Sequence, residues 1–298
     1  MISHKPLHYF VVHVYATAMF CCRSFKLFFV LFFLASASFS FPALAVDDDE
    51  AWDTIRQALF ADKVIGDGSE LLALEAPYRG LDASIVPITI NALTPQTGDR
   101  YIKSLTLTVD QNPDPIAAVF HFTPNSGSAS ISTRIRIDAY TYVRAIAETN
   151  DGKLHMVAKF VKAAGGCSAP SLGGMAEAEK VKGNMKLKIL SLPDVRKPGK
   201  AKFMIRHPNY SGLQFDQISR TEIPANFVNN IKVTVGDDVL ITVKTGNSIS
   251  EDPAFVFDFT EKNKTFKVLV GDLDGKTYEK TWPASSLISS SSDSDSKS

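Results

Sequence analysis

The sequence predicts an all-β protein made of two sandwich domains, and three observations carry that expectation. Apolar residues alternate with a period of two through two separate runs of short strands. Turn residues break both runs at the spacing typical of a β-sandwich. Between the runs lies a small-residue stretch, Ala163 to Gly174, with no apolar period at all. The length of 298 residues suits two domains of about 100–150 residues each. A hydrophobic content of 45% and a charged content of 21% exclude a disordered chain, a collagen-like fibre and a multi-span transporter. Lys+Arg and Asp+Glu balance at 32 each, which excludes the basic surface of a nucleic-acid binder.

The chain opens with a leader. Residues 1–45 contain no acid and only three bases, Lys5, Arg23 and Lys26. Behind Arg23 and Lys26 runs the apolar stretch Leu27–Phe41, followed by Pro42-Ala43-Leu44-Ala45, an A-x-A cleavage pattern. This is the layout of a secretory signal peptide, 1–45, and it predicts export out of the cytosol with no membrane contact after cleavage; the rival reading is an uncleaved membrane anchor, since residues 8–20 are also apolar. A start at Met19 would give a signal of 27 residues, an ordinary length. Without residues 1–45 the net charge becomes −3, and Cys21 and Cys22 are gone. Cys167 is then the single cysteine, in an oxidising compartment and with no internal disulfide partner.

The first domain is expected over 46–162. Residues 48–62 read as a short helix: Trp52, Ile55, Leu59 and Phe60 form one apolar stripe, with aspartates at the favoured N-terminal end. About seven strands follow, near 70–75, 83–92, 105–109, 116–122, 131–137, 141–148 and 154–160. Ile131, Ile135 and Ile137 share one face, with Ser132, Arg134 and Arg136 on the other. Asn150-Asp151-Gly152 is a hairpin signal. Residues 163–184 read as an exposed, flexible linker carrying Cys167. The second domain, 185–284, offers strands at 185–191, 201–206, 227–235, 239–245, 255–260, 264–271 and 276–282. The Ser-rich tail 285–298 is low-complexity and expected to be disordered.

Cys167 leads the chemistry. Gly165, Gly166 and Ser168 around it supply backbone freedom and little bulk, so the segment can present a sulfur at its tip. No His is adjacent and Lys162 is the nearest base, which argues against a self-sufficient thiol enzyme. A carrier thiol needs no base of its own, because a partner enzyme can activate it. The alternative is an incidental surface cysteine, and an exposed one would form disulfide-linked dimers in air. His121 reads as a hydrogen-bonded structural residue at a strand end, His155 as solvated, and His207 sits where a strand enters a loop. No spacing resembles a zinc site, and no nucleotide-binding or nucleophile-elbow motif is present, so no metal, cofactor or catalytic residue is expected.

Several stretches together resemble a known family. In the first half they are Tyr101-Ile102-Lys103-Ser104, Asn112-Pro113, Phe120-His121-Phe122-Thr123-Pro124, Ala129 to Arg136, Asp151-Gly152 and Gly165-Gly166-Cys167. In the second they are His207-Pro208-Asn209-Tyr210-Ser211-Gly212-Leu213, Ile223 to Phe227 and Ser250-Glu251-Asp252-Pro253. The first half resembles SoxY and the second SoxZ, the two subunits of the periplasmic sulfur carrier of thiosulfate oxidation. The resemblance implies two immunoglobulin-like sandwiches packed against each other, and Cys167 carrying sulfur intermediates covalently on a swinging arm between partner sulfur-oxidising enzymes. It departs from the family at one point. The SoxY arm is a free C-terminus with glycines on both sides of the cysteine, whereas Cys167 is followed by Ser168-Ala169-Pro170 and the chain continues. Such a segment must enter a partner as a loop. The fused layout also resembles carriers associated with quinoprotein alcohol dehydrogenases, which implies as the alternative a non-catalytic accessory module for such a periplasmic system.

Overall fold

The structure, a computed structural model, describes residues 48–170, 175–216 and 219–286. The expected leader (1–45), linker positions 171–174 and the tail from 287 lie outside the described residues. Helix α1 (Asp48–Phe60) is followed by eight strands: β1 (Ile65–Asp67), β2 (Leu72–Glu75), β3 (Val86–Ala92), β4 (Ile102–Val109), β5 (Ile116–Phe122), β6 (Ile131–Ile135), β7 (Thr141–Thr149) and β8 (Leu154–Val161). Helix α2 (Met175–Val181) then leads into β9 (Met185–Ser191), β10 (Gly199–Ile205), β11 (Phe215–Asp216) and β12 (Thr221–Glu222). The chain closes with β13 (Val228–Val235), β14 (Asp238–Thr245), β15 (Ala254–Phe259), β16 (Phe266–Asp272) and β17 (Thr277–Trp282).

The expected all-β architecture of two sandwich halves is present, and the alternation that predicts each strand is also what buries it. Leu105, Leu107 and Val109 of β4 are fully buried, as are Ile131 and Ile135 of β6 and Val268 and Val270 of β16. Four elements carry no such signal. The strand β1 is only three residues long and pairs parallel with β8. The pair β11–β12 is shorter still. Helix α2 stands where the linker was expected, built from Ala, Glu and Lys, which favour helix. The N-terminal helix is anchored by Ile55, which is buried, and by Trp52, whose ring lies 4.4 Å from the Arg144 guanidinium carbon. The Arg144 Nε in turn lies 2.6 Å from Asp110 Oδ2.

The linker is not what holds the halves together. One sheet has nine strands in the order β1-β8-β7-β4-β5-β14-β13-β16-β17, and the other has six in the order β2-β3-β6-β15-β10-β9. Both sheets therefore run through the two halves. The joints are antiparallel: β5 meets β14 from Phe122↔Ile241 to Ala118↔Thr245, and β6 meets β15 at Ile131↔Phe257 and Ser132↔Val256. Phe120 of one half meets Phe255 of the other edge to face at 6.1 Å, so the two halves share one core.

Two halves that share sheets and core should unfold together. A single coincident transition is expected by calorimetry and by far-UV circular dichroism; two resolved transitions would contradict the shared core. Phe257→Ala empties a buried site on the β15 joint, and we expect a loss of about 3–5 kcal/mol in denaturant unfolding, with the transition still single.

Candidate functional site

Cys167 lies at the junction of the halves, and the segment that carries it is docked. The expected arm of Gly165, Gly166 and Ser168 differs from this in one respect: Gly165 and Ser168 are exposed, but Gly166 and Cys167 are buried and the backbone is hydrogen-bonded on both flanks. Strand β8 ends at Val161, and Lys162 bonds to the loop before β3: its N–H donates to Tyr78 O at 2.8 Å and its carbonyl accepts from Gly80 N–H. The Gly165 N–H then donates to Asp138 O at 2.8 Å, and the Gly166 N–H to Ile137 O at 2.9 Å. Past the cysteine, Ser211 Oγ donates to Cys167 O, and Gln214 Nε2 donates to Ala169 O at 2.7 Å. The first half holds the upstream flank and the second half holds the downstream flank.

The small residues therefore serve close approach rather than freedom. A Cβ on Gly166 would sit 2.0 Å from Ala83 O and 2.8 Å from Ile137 O, so only glycine fits against that backbone. Gly165 adopts φ +78, which turns the chain into the seat. Ser168 is exposed, but Cys167 is 0% exposed and its thiol is free. Disulfide-linked dimers, expected from an exposed cysteine, are opposed by this burial.

Family-resembling stretches that are far apart in sequence converge on this seat. Arg136 was expected on the polar face of β6 and the residues after it, yet it is only 2% exposed. Its guanidinium reaches into the second half and donates from one nitrogen to Asn209 O at 2.8 Å and Ile249 O at 2.7 Å. Its own carbonyl accepts from Asn112 Nδ2 at 2.9 Å, and the same amide donates to Ser248 Oγ. Asn209, with φ +49, donates its N–H to His207 Nδ1 at 3.0 Å and its Nδ2 to Ile249 O, while its Oδ1 accepts from Val228 N–H. Ser250 Oγ donates to Ser84 O across the junction, and the His207 N–H donates to Asp252 Oδ1. The stretch from His207 to Ser211 is thus hydrogen-bonded at several points, and Ser211 holds the Cys167 carbonyl.

His207 is buried beside Asp272, 3.5 Å away, with Lys182 at 3.5 Å from the same carboxylate and the Tyr278 hydroxyl donating to it. Burial, followed by the Lys182 charge, pulls the His207 pKa below its ordinary value. Lys182, just after α2, is thereby tied to the second half, and the imidazole Nδ1 accepts from Asn209 while Nε2 faces Asp272 without a hydrogen-bond partner. His155, expected to be solvated, is half-buried with Nδ1 3.3 Å from Asp67 O. His121 is exposed on β5, between Ser104 of β4 and Thr242 of β14. Among the described residues, no group of three His, Cys, Asp or Glu side chains is placed to hold a metal, and no helix is long and apolar enough to cross a membrane.

The charge environment keeps the thiol protonated. Burial pushes the Cys167 thiol up to about 12; Asp138 and Asp114 push the same way, and Arg136 opposes them. The groups acting on it are a guanidinium and two carboxylates, with no imidazole among them. Docked, the Cys167 thiol is held in its protonated, weakly nucleophilic form.

Residues 56–167 match the SoxY family, described as sulfur oxidation protein SoxY, and residues 193–283 match SoxZ, sulphur oxidation protein SoxZ. The chain belongs to these families as a SoxY–SoxZ fusion. The SoxY match ends on Cys167 itself. Among solved structures, the sulfur carrier protein SoxY from Chlorobium limicola f thiosulfatophilum is 20% identical, covers 39% of this chain and 94% of its own, and has a TM-score of 0.33. Two structures of a superoxide reductase (neelaredoxin) from Ignicoccus hospitalis, each of a single-substitution variant, are 15% identical with a TM-score of 0.29; they cover 31% and 37% of this chain and 79% and 86% of their own. No curated protein matches the chain.

Two outcomes follow for the SoxYZ arm. Gly166→Ala should expel the segment from its seat at a cost of about 1–3 kcal/mol, seen as a lower Tm together with a newly reactive thiol. The pH dependence follows from the raised pKa. Docking is at full strength below the ordinary thiol value of 9.0 and weakens about tenfold per pH unit as pH rises from there towards about 12. A difference ultraviolet titration of residues 46–298 against Cys167→Ser reads this directly: thiolate absorbance should rise well above pH 9.0, and a midpoint at the ordinary value would contradict the docked seat.

Proposed function

We propose that this SoxYZ fusion is a periplasmic carrier that holds sulfur-compound intermediates covalently on Cys167 and presents them to partner sulfur-oxidising enzymes. The observation that carries this reading is the placement of Cys167. It closes the SoxY match, it is the only cysteine after residue 45, and it sits where the family-resembling stretches of both halves meet. Among the described residues no imidazole acts on the thiol; a carrier needs no activating base of its own, whereas a self-sufficient thiol enzyme does. Loading a thiosulfate-like anion would form an S–S bond at Cys167, with the thiol proton passing to solvent or a base and two electrons to the partner enzyme's redox centre. The leader supports export to the periplasm.

One observation favours a second reading. The thiol is wholly buried and the chain continues past it, which suits a non-catalytic accessory module for a periplasmic quinoprotein dehydrogenase system. In that reading the sandwich surfaces bind the partner and Cys167 is a packing residue.

Intact mass of the protein from its native periplasm, before and after a thiol reductant, separates the two. A mass excess that reduction removes and that maps to Cys167 is expected, with loss of function in Cys167→Ser. An unmodified thiol under every growth condition, with Cys167→Ser tolerated, would leave the accessory module. The same spectrum reads the cleavage site.

A further inference from the structure

We propose that Ser211 and Gln214 are positioning residues that latch the Cys167 arm shut, so that the thiol reacts only after the downstream flank has been released from the second half. This rests on the carrier reading of Cys167.

The two flanks of the arm are held by different kinds of bond. Upstream, the arm's own N–H groups at Gly165 and Gly166 donate to main-chain carbonyls of Asp138 and Ile137. Downstream, two side chains of the other half reach over and donate to the arm's carbonyls at Cys167 and Ala169. The downstream bonds are the ones a side chain can make or break. They are also preset before the arm arrives. Gln214 Oε1 accepts from the Ser211 N–H at 3.1 Å, so the same amide that orients Ser211 turns its Nε2 to Ala169. Ser211 Oγ accepts from the Leu213 N–H at 3.2 Å, which directs its single proton towards Cys167 O. Asn247 Nδ2 donates to Ser211 O, fixing the latch to the loop that also receives Arg136.

A chain that continues past its cysteine needs such a device. A free C-terminal arm is tethered at one end only. This arm is tethered at both, and it can present the sulfur only as a loop, which requires its downstream flank to let go. Release of Cys167 O and Ala169 O frees the segment to swing about Gly165, whose positive φ already marks a turn. The closed arm keeps a lone thiol protonated and covered in an oxidising compartment, and the open arm restores ordinary thiol chemistry.

The test is the rate at which iodoacetamide alkylates Cys167 in residues 46–298 at pH 8. The thiol first gives up its proton to solvent; the thiolate sulfur then displaces iodide, forming one S–C bond as the C–I bond breaks. When opening is faster than alkylation, the rate is proportional to the open fraction. Ser211→Ala and Gln214→Ala should each raise it about two- to tenfold, and the double variant further, because each removes one latch bond. Ser211→Thr keeps the hydroxyl and should stay slow. Ser250→Ala loses a bond of the same junction, to Ser84 O, that does not touch the arm, and should also stay slow. A wild-type rate equal to that of a free cysteine would overturn the proposal, as would folded single and double variants no faster than wild type, or Ser250→Ala rising as much as Ser211→Ala. Alkylation reads the latch whether or not Cys167 ever carries cargo, and the periplasmic mass reads the cargo whether or not the latch exists, so the two readings fail separately.

Discussion

Where two sandwiches meet, unpaired strand edges would leave rows of N–H and C=O groups without partners, and here β5 closes on β14 and β6 on β15. Every feature of the site depends on that edge pairing. It makes two sheets continuous through both halves, brings Phe120 against Phe255, and fixes the distance between the end of β6 and the loops of the second half. Arg136 can then reach Asn209 and Ile249, and Ser211 can reach Cys167. A tether alone raises the effective concentration of one half near the other. The shared ladders do more, because they give the halves a single register.

At the junction a buried cation and a buried thiol lie close together, and one guanidinium nitrogen of the cation bonds main-chain carbonyls of the second half. Arg136 donates to main-chain carbonyls, and burial lowers its pKa, with Cys167 and Glu251 acting the other way. The thiol is shifted in the opposite sense for the same reason, since burial disfavours whichever form is charged. A site of this kind stores a sulfur nucleophile in its unreactive form. Its reactivity is a property of the arm's position rather than of an activating base.

The strands were legible because a half-buried strand must alternate, and Leu105/Leu107/Val109 and Phe255/Phe257/Phe259 do so. The hairpin at Asn150-Asp151-Gly152 was legible for a similar local reason, with Gly152 at φ +83. Arg136 was misplaced by the same rule: alternation puts it on the polar face, and a neighbouring domain covers that face. The glycines around Cys167 were read as freedom because sequence shows small size and not what lies next to it. Ala83 O, some eighty positions away, supplies the reason for Gly166. His207 stood out in sequence only as a strand-end residue, since its partners Asn209 and Asp272 declare themselves by geometry.

The sequence by itself determined the all-β class, the order of most strands and the singling out of Cys167, because these follow from local period, composition and residue chemistry. Tertiary structure alone decided that the halves share their sheets, that the arm is docked, and that Ser211 and Gln214 bond its carbonyls while Arg136 acts on its thiol. Those facts depend on contacts between residues far apart in sequence, such as Phe122 with Ile241, Ser211 with Cys167 and Arg136 with Ile249, which no local pattern encodes.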